Sequence, residues 1–497
     1  MRDGNLLNSA TNTWRTTPEP MHQGRWYPTN TTLLNGNVLV TAGLLDECSN
    51  VHNNTPDIWQ NGYWHRLTGA TRYVPMYPWM FAAQNGQVFY AGPNVDTGYL
   101  NTTGNGSWTA TGTSMMGRRR GDDTAGTQYG RREEGTAVMY KPGKIIIIGG
   151  AGNHGGAGTL WATKTTELID LNSDNTSVQF RWGPDMAFDR RHLNATLLPD
   201  GSVLVTGGTL NGFNNSDAYA VLPAELWTPP TADYPDGRWT TLAAMQTPRL
   251  YHSTAVLLPD GRVLAAGGGL GGGPGGNFTD HPDAEIFSPP YLFSLTSTRP
   301  VITSAPAAVS YNQAFAVQTP DAAAVTRATL VRLTSVTHSF DMNQRFLELS
   351  FTTTGANTLS LMAPPNADCP PGQYLLSLLN ASGVPSVSKV ITVDVNTCPT
   401  EETFGKSIIA QGKCYKTVRV RADGANLGTA RWFVNGALQS GSSGPGGQIF
   451  VDITLLHASS TAGYELEVTP PCGGAPMRVG GTISEFVGSC TTDFPGR

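Results

Sequence analysis

Nine residues upstream of each of five turn glycines, Gly36, Gly86, Gly143, Gly201 and Gly261, stands a reactive or aromatic side chain: Tyr27, Tyr77, Glu134, His192 and His252. None is aliphatic, and Tyr251 directly precedes His252. Taken singly, such a residue at the start of a strand serves packing or hydrogen bonding as well as any function. Taken together, phenols, imidazoles and a carboxylate at one rim can bind a metal. Imidazole nitrogen favours copper and zinc, and phenolate oxygen suits the harder Cu(II) state. A Tyr-His pair sends both side chains to one ion only if the chain turns there. A hydrolase using Glu134 with His192 finds less support, because neither a nucleophile elbow nor a His-Glu-x-x-His zinc motif is present.

The elements that must position these side chains form a repeat. A strand, a tight turn, a second strand and small residues recur at 31–43, 80–92, 136–150, 195–208 and 255–268. Asn-Gly or Asp-Gly occupies the bend in four copies, marking a hairpin whose Gly tolerates positive φ. Trp14, Trp64, Trp108, Trp182 and Trp239 fall between copies, as outer strands would. The period of about fifty to sixty residues is near the kelch value, so a seven-bladed type of kelch β-propeller is expected over 1–297. Its inner strands line a channel, and the reactive residues gather at one mouth. Residues 5–14 read as the outer half of an earlier unit lacking its hairpin, so the first blade is expected to be incomplete and the chain to derive from a longer product.

Residues 298–394 change character: Thr, Ser and Val strands alternate with Pro-punctuated turns, suggesting an immunoglobulin-like sandwich. Residues 395–497 suggest a further small β-domain, where Cys398, Cys414, Cys472 and Cys490 fit two disulfides. With 58 Gly, 34 Pro and 14% charged residues in 497, the whole chain reads as all-β. A net charge of -5 gives no footprint for nucleic acid, and the basic run at Arg118–Arg120 is diluted by Asp122 and Asp123. No apolar stretch approaches the roughly 20 residues of a membrane span. Secretion and a monomeric state are expected.

Residues 249–269, beginning Arg-Leu-Tyr-His-Ser, resemble the segment of galactose oxidase that carries an axial tyrosine and a copper-ligating histidine. Gly24–Asn30 is similar to the strand bearing the radical tyrosine, and Thr337–Arg345 to a sandwich loop that threads a second histidine along the propeller axis. Asp283–Leu292 resembles the passage out of the propeller. The resemblance, to the mononuclear copper-radical oxidases of galactose oxidase and glyoxal oxidase type, covers about residues 5–394. It implies a copper ion held by Tyr27, Tyr251, His252 and His338, with Tyr27 as radical and Tyr251 as proton acceptor. It implies oxidation of a primary alcohol, aldehyde or carbohydrate by O2, giving hydrogen peroxide. Arg72, Tyr73, Tyr77, His192 and Phe213 are the expected substrate contacts.

Two departures matter. The family joins its radical tyrosine by a thioether to a cysteine of the preceding blade, a stretch that would precede Met1, and Cys48 does not match that position. This chain is therefore expected to bind copper yet oxidise poorly, and a non-catalytic propeller that binds glycans or protein partners is the alternative. Where the family stacks a tryptophan over the thioether, the count from Tyr27 reaches Leu45.

Overall fold

The computed structural model describes residues 2–8, 11–60, 62–117, 131–153, 160–171, 177–210, 216–269, 279–294 and 298–394, and beyond these the strands between 404 and 484. Phe213, the Arg118–Arg120 run, most of the 267–276 glycine stretch and the four C-terminal cysteines lie outside the described residues. The chain divides into two compact units, Met1–Asp394 and Val395–Arg497.

In the first unit, each hairpin read from sequence forms the inner half of a sheet. Blade A comprises Thr29–Thr32, Val38–Thr41, Asp57–Gln60 and Tyr63–Arg66; blade B, Trp79–Ala82, Val88–Gly92, Asp96–Asn101 and Ser107–Thr113. Blade C comprises Thr136–Lys141, Lys144–Ile148, Thr166–Leu171 and Val178–Trp182; blade D, Asn194–Leu197, Val203–Thr206, Pro223–Thr228 and Arg238–Ala244. Blade E has three strands among the described residues, Thr254–Leu257, Val263–Ala266 and Ala284–Phe287. Asn5–Asn8 and Thr13–Thr16 pair with one another. The innermost strand of each blade adjoins that of the next, from A through E, so the sheets radiate from a shared axis.

Successive blades bury their faces against each other, which explains the apolar run Ile145–Ile148. Val138, Ile146, Leu204 and Trp227 share one core cluster, and Phe89, Ile145, Ile147 and Ile169 another. A strand covered on both faces needs no polar alternation. Each isoleucine so buried contributes roughly 1.5–3 kcal/mol.

A buried guanidinium fastens four of the five blades. Arg25 donates to Ala42 O at 2.8 Å and to Asp57 at 2.6 Å. Arg132 does the same with Gly149 O (2.8 Å) and Glu167 (2.7 Å), and Arg190 with Gly207 O (2.7 Å) and Glu225 (2.9 Å). Arg249 reaches Gly267 O at 3.0 Å and Asp283 at 2.9 Å. Each therefore ties the segment leading into an inner strand to the end of the second strand and to the third. Gly207 is required there, because a Cβ would lie 2.3 Å from Arg249 O.

The sandwich pairs a five-stranded sheet, in the order Ala308–Ser310, Lys389–Asp394, Gly372–Asn380, Val325–Arg332, Phe346–Leu349, with a three-stranded sheet of Ala314–Gln318, Thr358–Met362 and Phe351–Gly355. It docks on the hairpin-turn end of the blades. Thr329 donates to Pro199 O (2.8 Å), Arg327 to Asp200 O (3.0 Å), Asn366 to Leu34 O (2.8 Å) and Ser388 N–H to Pro259 O (2.8 Å). The second unit holds two four-stranded antiparallel sheets. No helix among the described residues is long and apolar enough to cross a membrane.

Arg190 and Glu225 are both fully buried. Arg190→Met should therefore cost about 3–5 kcal/mol, read from urea unfolding, because it strands a buried carboxylate. Adding Glu225→Leu should recover part of that loss.

Candidate metal centre

Every reactive residue of the ring sits where the chain turns into its innermost strand, and every one has a left-handed backbone. The φ angle is +65° at Tyr27, +48° at Tyr77, +54° at Glu134, +58° at His192 and +64° at His252. Side chains larger than Gly adopt this region at a cost of roughly 1–2 kcal/mol each. Five equivalent instances mark a constrained site. At three of the five positions the preceding residue is bridged: Trp26 to Leu44, Glu133 to Ala151, Arg191 to Thr209. Successive extended residues point to opposite faces, whereas a left-handed residue breaks the alternation and turns both members of the pair to the mouth. The Trp26 and Tyr27 rings accordingly stack at 3.6 Å between centroids, and those of Tyr251 and His252 lie 3.9 Å apart. Backbone bonds link neighbouring positions: Tyr77 N–H donates to Tyr27 O (3.2 Å) and His192 N–H to Glu134 O (2.8 Å).

A further imidazole arrives from the sandwich. A hairpin of Val336–Thr337 and Phe340–Asp341 packs against the innermost strands of blades C, D and E. Its two-residue turn is His338-Ser339, at φ +46° and +71°. That is the type I′ pattern ordinarily filled by Asn-Gly, so His338 occupies a strained tip. Buried Asp341 steadies the hairpin, its Oδ1 accepting from Ser335 N–H (2.9 Å) and Asn343 N–H (3.0 Å). Burial pushes its carboxyl up to about 6.

At the mouth, the hydroxyls of Tyr27 and Tyr251 are 3.2 Å apart. The His338 ring centroid lies 4.5 Å from that of Tyr27, 4.4 Å from Tyr77, 4.7 Å from His252 and 5.3 Å from Tyr251. His252 Nδ1 faces Gly269 O at 2.8 Å; that acceptor selects the Nδ1–H tautomer and leaves a lone pair on Nε2. His338 Nδ1 meets Thr337 Oγ1 at 2.7 Å, while its Nε2 is buried without a partner. An unsatisfied buried nitrogen costs about 1–3 kcal/mol, and a bound ion would satisfy it. Burial, reinforced by His252 and His192, lowers the His338 pKa to about 4, so the imidazole is neutral, the ligating form. Burial first, then the bond to Tyr27, raises the Tyr251 phenol. Two phenol oxygens and two imidazole nitrogens fit a copper ion. Among the described residues no three His, Cys, Asp or Glu side chains cluster to hold a metal, so a metal held here would need the phenols as well.

Not every ring residue belongs to that set. Glu134 is held by Arg191 and by His192 Nε2 at 2.8 Å. His192 lies edge-on to Tyr251, 5.1 Å between centroids. A cavity of about 360 Å³ opens beside the phenols, lined by Trp26, Tyr27, His52, Tyr73, Pro75, Met76, Tyr77, Trp79, Pro93, Arg131, Glu133, Glu134, Gly135, Tyr251 and His338. Of the expected substrate contacts, Tyr73 and Tyr77 line it. Arg72 does not: it pairs with Asp96, and its guanidinium lies 4.8 Å from the Trp108 ring inside blade B. Trp26, His52 and Glu133 were not singled out from sequence; Trp26 and Glu133 were findable as the residues just before the ring positions. A larger groove of about 840 Å³ runs along blades D and E, away from these side chains. Cys48 is exposed, and Cys369 is buried in the sandwich.

Comparisons with known proteins place the chain among the oxidases that its sequence resembles. Residues 4–291 match the family described as glyoxal oxidase N-terminus, and residues 299–393 the galactose oxidase-like early set domain. A galactose oxidase of Gibberella zeae is 29% identical over 408 residues, covering 78% of this chain. The chain spans 57% of that relative's length. An aldehyde oxidase GLOX of Vitis pseudoreticulata is 28% identical, with 74% of this chain and 72% of that protein covered. A solved structure described as a fungal alcohol oxidase of the AA5 family in complex with copper aligns with a TM-score of 0.68 and 26% identity, covering 79% of this chain and 81% of its own.

Because burial raises the Asp341 pKa from 3.8 to about 6, the folded protein binds the extra proton between those values and loses stability as pH rises through them. Asp341→Asn should abolish this slope. Urea unfolding at pH 4 and pH 7 should show the wild type losing on the order of 2–3 kcal/mol relative to the variant.

Proposed function

The chain belongs to the glyoxal oxidase N-terminus family, and from that premise we propose that it is a copper-dependent oxidase of primary alcohols or aldehydes, with O2 as the electron acceptor. One observation carries this reading. Tyr27, Tyr251, His252 and His338, brought by blade A, blade E and the sandwich, lie ring beside ring, and the last leaves a buried Nε2 unsatisfied. Copper, when bound, supplies a one-electron couple and the positive charge that favours ionised phenols. The protein does the rest. Tyr251 stands at the cavity wall, where it accepts the proton of the substrate hydroxyl. Tyr27, having given up one electron, takes a hydrogen atom from the adjacent carbon. The substrate loses two electrons and two protons overall, and O2 gains them as hydrogen peroxide.

In this reading the blades form a kelch-type propeller over 1–297, followed by the early-set sandwich at 298–394 and an accessory β-domain at 395–497. The protein is secreted and monomeric. Neither exposed Cys48 nor buried Cys369 is assigned as a thioether partner of Tyr27.

Titration should show one Cu(II) per chain. His338→Ala should weaken it by more than about 100-fold, since outer-shell changes alone cost roughly 10–100-fold. Tyr251→Phe should retain copper but lower peroxide release roughly 10²–10⁴-fold. A wild-type chain that takes up no copper, or peroxide release indifferent to Tyr251, overturns the proposal.

A further inference from the structure

His252 and His338 are held at Nδ1 by different kinds of partner. His252 Nδ1 faces a backbone carbonyl, Gly269 O, at 2.8 Å, and a carbonyl only accepts. His338 Nδ1 faces a hydroxyl, Thr337 Oγ1, at 2.7 Å, and a hydroxyl donates or accepts. Thr337 by itself therefore leaves the tautomer of His338 open. If its O–H points at Nδ1, the ring proton sits on buried Nε2 and no lone pair is left there for an ion. If that O–H points elsewhere, Oγ1 accepts from Nδ1–H and Nε2 keeps its lone pair. The deciding group is whatever else the Thr337 hydroxyl reaches, and Tyr77 is placed for it. Its phenol ring stacks on the His338 imidazole, 4.4 Å between centroids and 21° between planes, and lies 4.8 Å from the Tyr27 ring. Burial, then the Tyr27 phenol, raises the Tyr77 pKa, and a hydrogen bond with Thr337 opposes the rise, as a hydroxyl does when it donates to a phenol oxygen.

Resting on the oxidase reading, in which His338 is a metal ligand, we propose that Tyr77 and Thr337 are a pair of positioning residues for His338: the Tyr77 oxygen takes the Thr337 proton, Thr337 Oγ1 takes that of His338 Nδ1, and Nε2 is left to bind the ion. This gives the third phenol of the mouth a task other than ligation. The oxygens of Tyr27 and Tyr251 meet at 3.2 Å, whereas that of Tyr77 engages the sandwich hairpin. The stack adds a second restraint. Rotation of a histidine ring about its Cβ–Cγ bond is soft, so at the tip of a two-residue turn the direction of Nε2 is set by what the ring touches, and a phenol lying against one face holds it. Tyr77 opens the innermost strand of blade B, a blade that supplies none of the four proposed ligands. Through Tyr77 that blade acts on the ligand that the sandwich delivers.

Tautomer and metal affinity are read separately. NMR of metal-free protein labelled with 15N-histidine shows which ring nitrogen of His338 carries the proton, with His338→Ala identifying its signals. The wild type should carry it on Nδ1. Tyr77→Phe keeps the stack but frees the Thr337 O–H to turn on Nδ1, and should move the ring to the Nε2–H form; Thr337→Val removes the acceptor and should leave a mixture. A purely structural Tyr77 would not move the tautomer. Titration with Cu(II) against a competing chelator should show Tyr77→Phe and Thr337→Val weakened about 10–100-fold, and Thr337→Ser, which restores the hydroxyl, within about 3-fold of the wild type. If Thr337→Val fails to fold, Tyr77→Phe carries the test. A wild-type ring protonated on Nε2, or a Tyr77→Phe protein with unchanged tautomer or unchanged copper affinity, overturns the inference and leaves the oxidase reading intact. A wild-type chain that takes up no copper ends the oxidase reading, and the ligand role of His338 ends with it.

Discussion

The structure depends on a reversal of chain direction at the start of each innermost strand. A residue with left-handed backbone there breaks the alternation that extended chain imposes, so two consecutive side chains face the mouth where one would. The cost falls on Tyr, Glu and His, which gain nothing locally from positive φ. It is sustained by what surrounds it: at three positions a bridged residue before, at all five an inner strand after, and in four blades a buried arginine holding the approach to the second and third strands. Function and fold thus meet in the same few backbone angles.

The blades alone do not assemble this cluster of rings. Tyr27 and Tyr251 come within hydrogen-bonding distance and His252 turns alongside, but the group that stacks among them belongs to the sandwich. Docking at the turn end and delivery at the opposite end require a hairpin long enough to run beside the inner strands. Its tip uses His-Ser where Asn-Gly would be relaxed. Strain at the tip and an unsatisfied Nε2 are liabilities that a bound cation would offset.

Much of this was legible in the residues. Turn glycines fix hairpin length, so counting back from them reached Tyr27, Tyr77, Glu134, His192 and His252, and the hairpin pattern predicted the inner halves of five sheets. Likeness to known oxidases was needed for His338, whose place depends on how one domain threads another. What sequence concealed was side-chain direction. Left-handed φ usually announces itself as Gly or Asn, and here it falls on Tyr, Glu and His, so the inward turn of Trp26 and Glu133 left no mark. Arg72, expected from the resemblance as a substrate contact, is instead drawn into the blade by Asp96 and the Trp108 face. Glu134, grouped with the ring by position, is consumed by Arg191 and His192. Trp26, adjoining Tyr27, stacks on its ring.

The origin of His338 has a consequence for how the molecule is put together. An ion held by side chains on both blades and sandwich would staple, in the folded state alone, chain segments hundreds of residues apart, stabilising that state by mass action. It would favour the docked arrangement over separated domains in proportion to occupancy. Loading must then follow folding, since the last nitrogen is in place only once the sandwich has seated, and stripping the ion would loosen the join between the two.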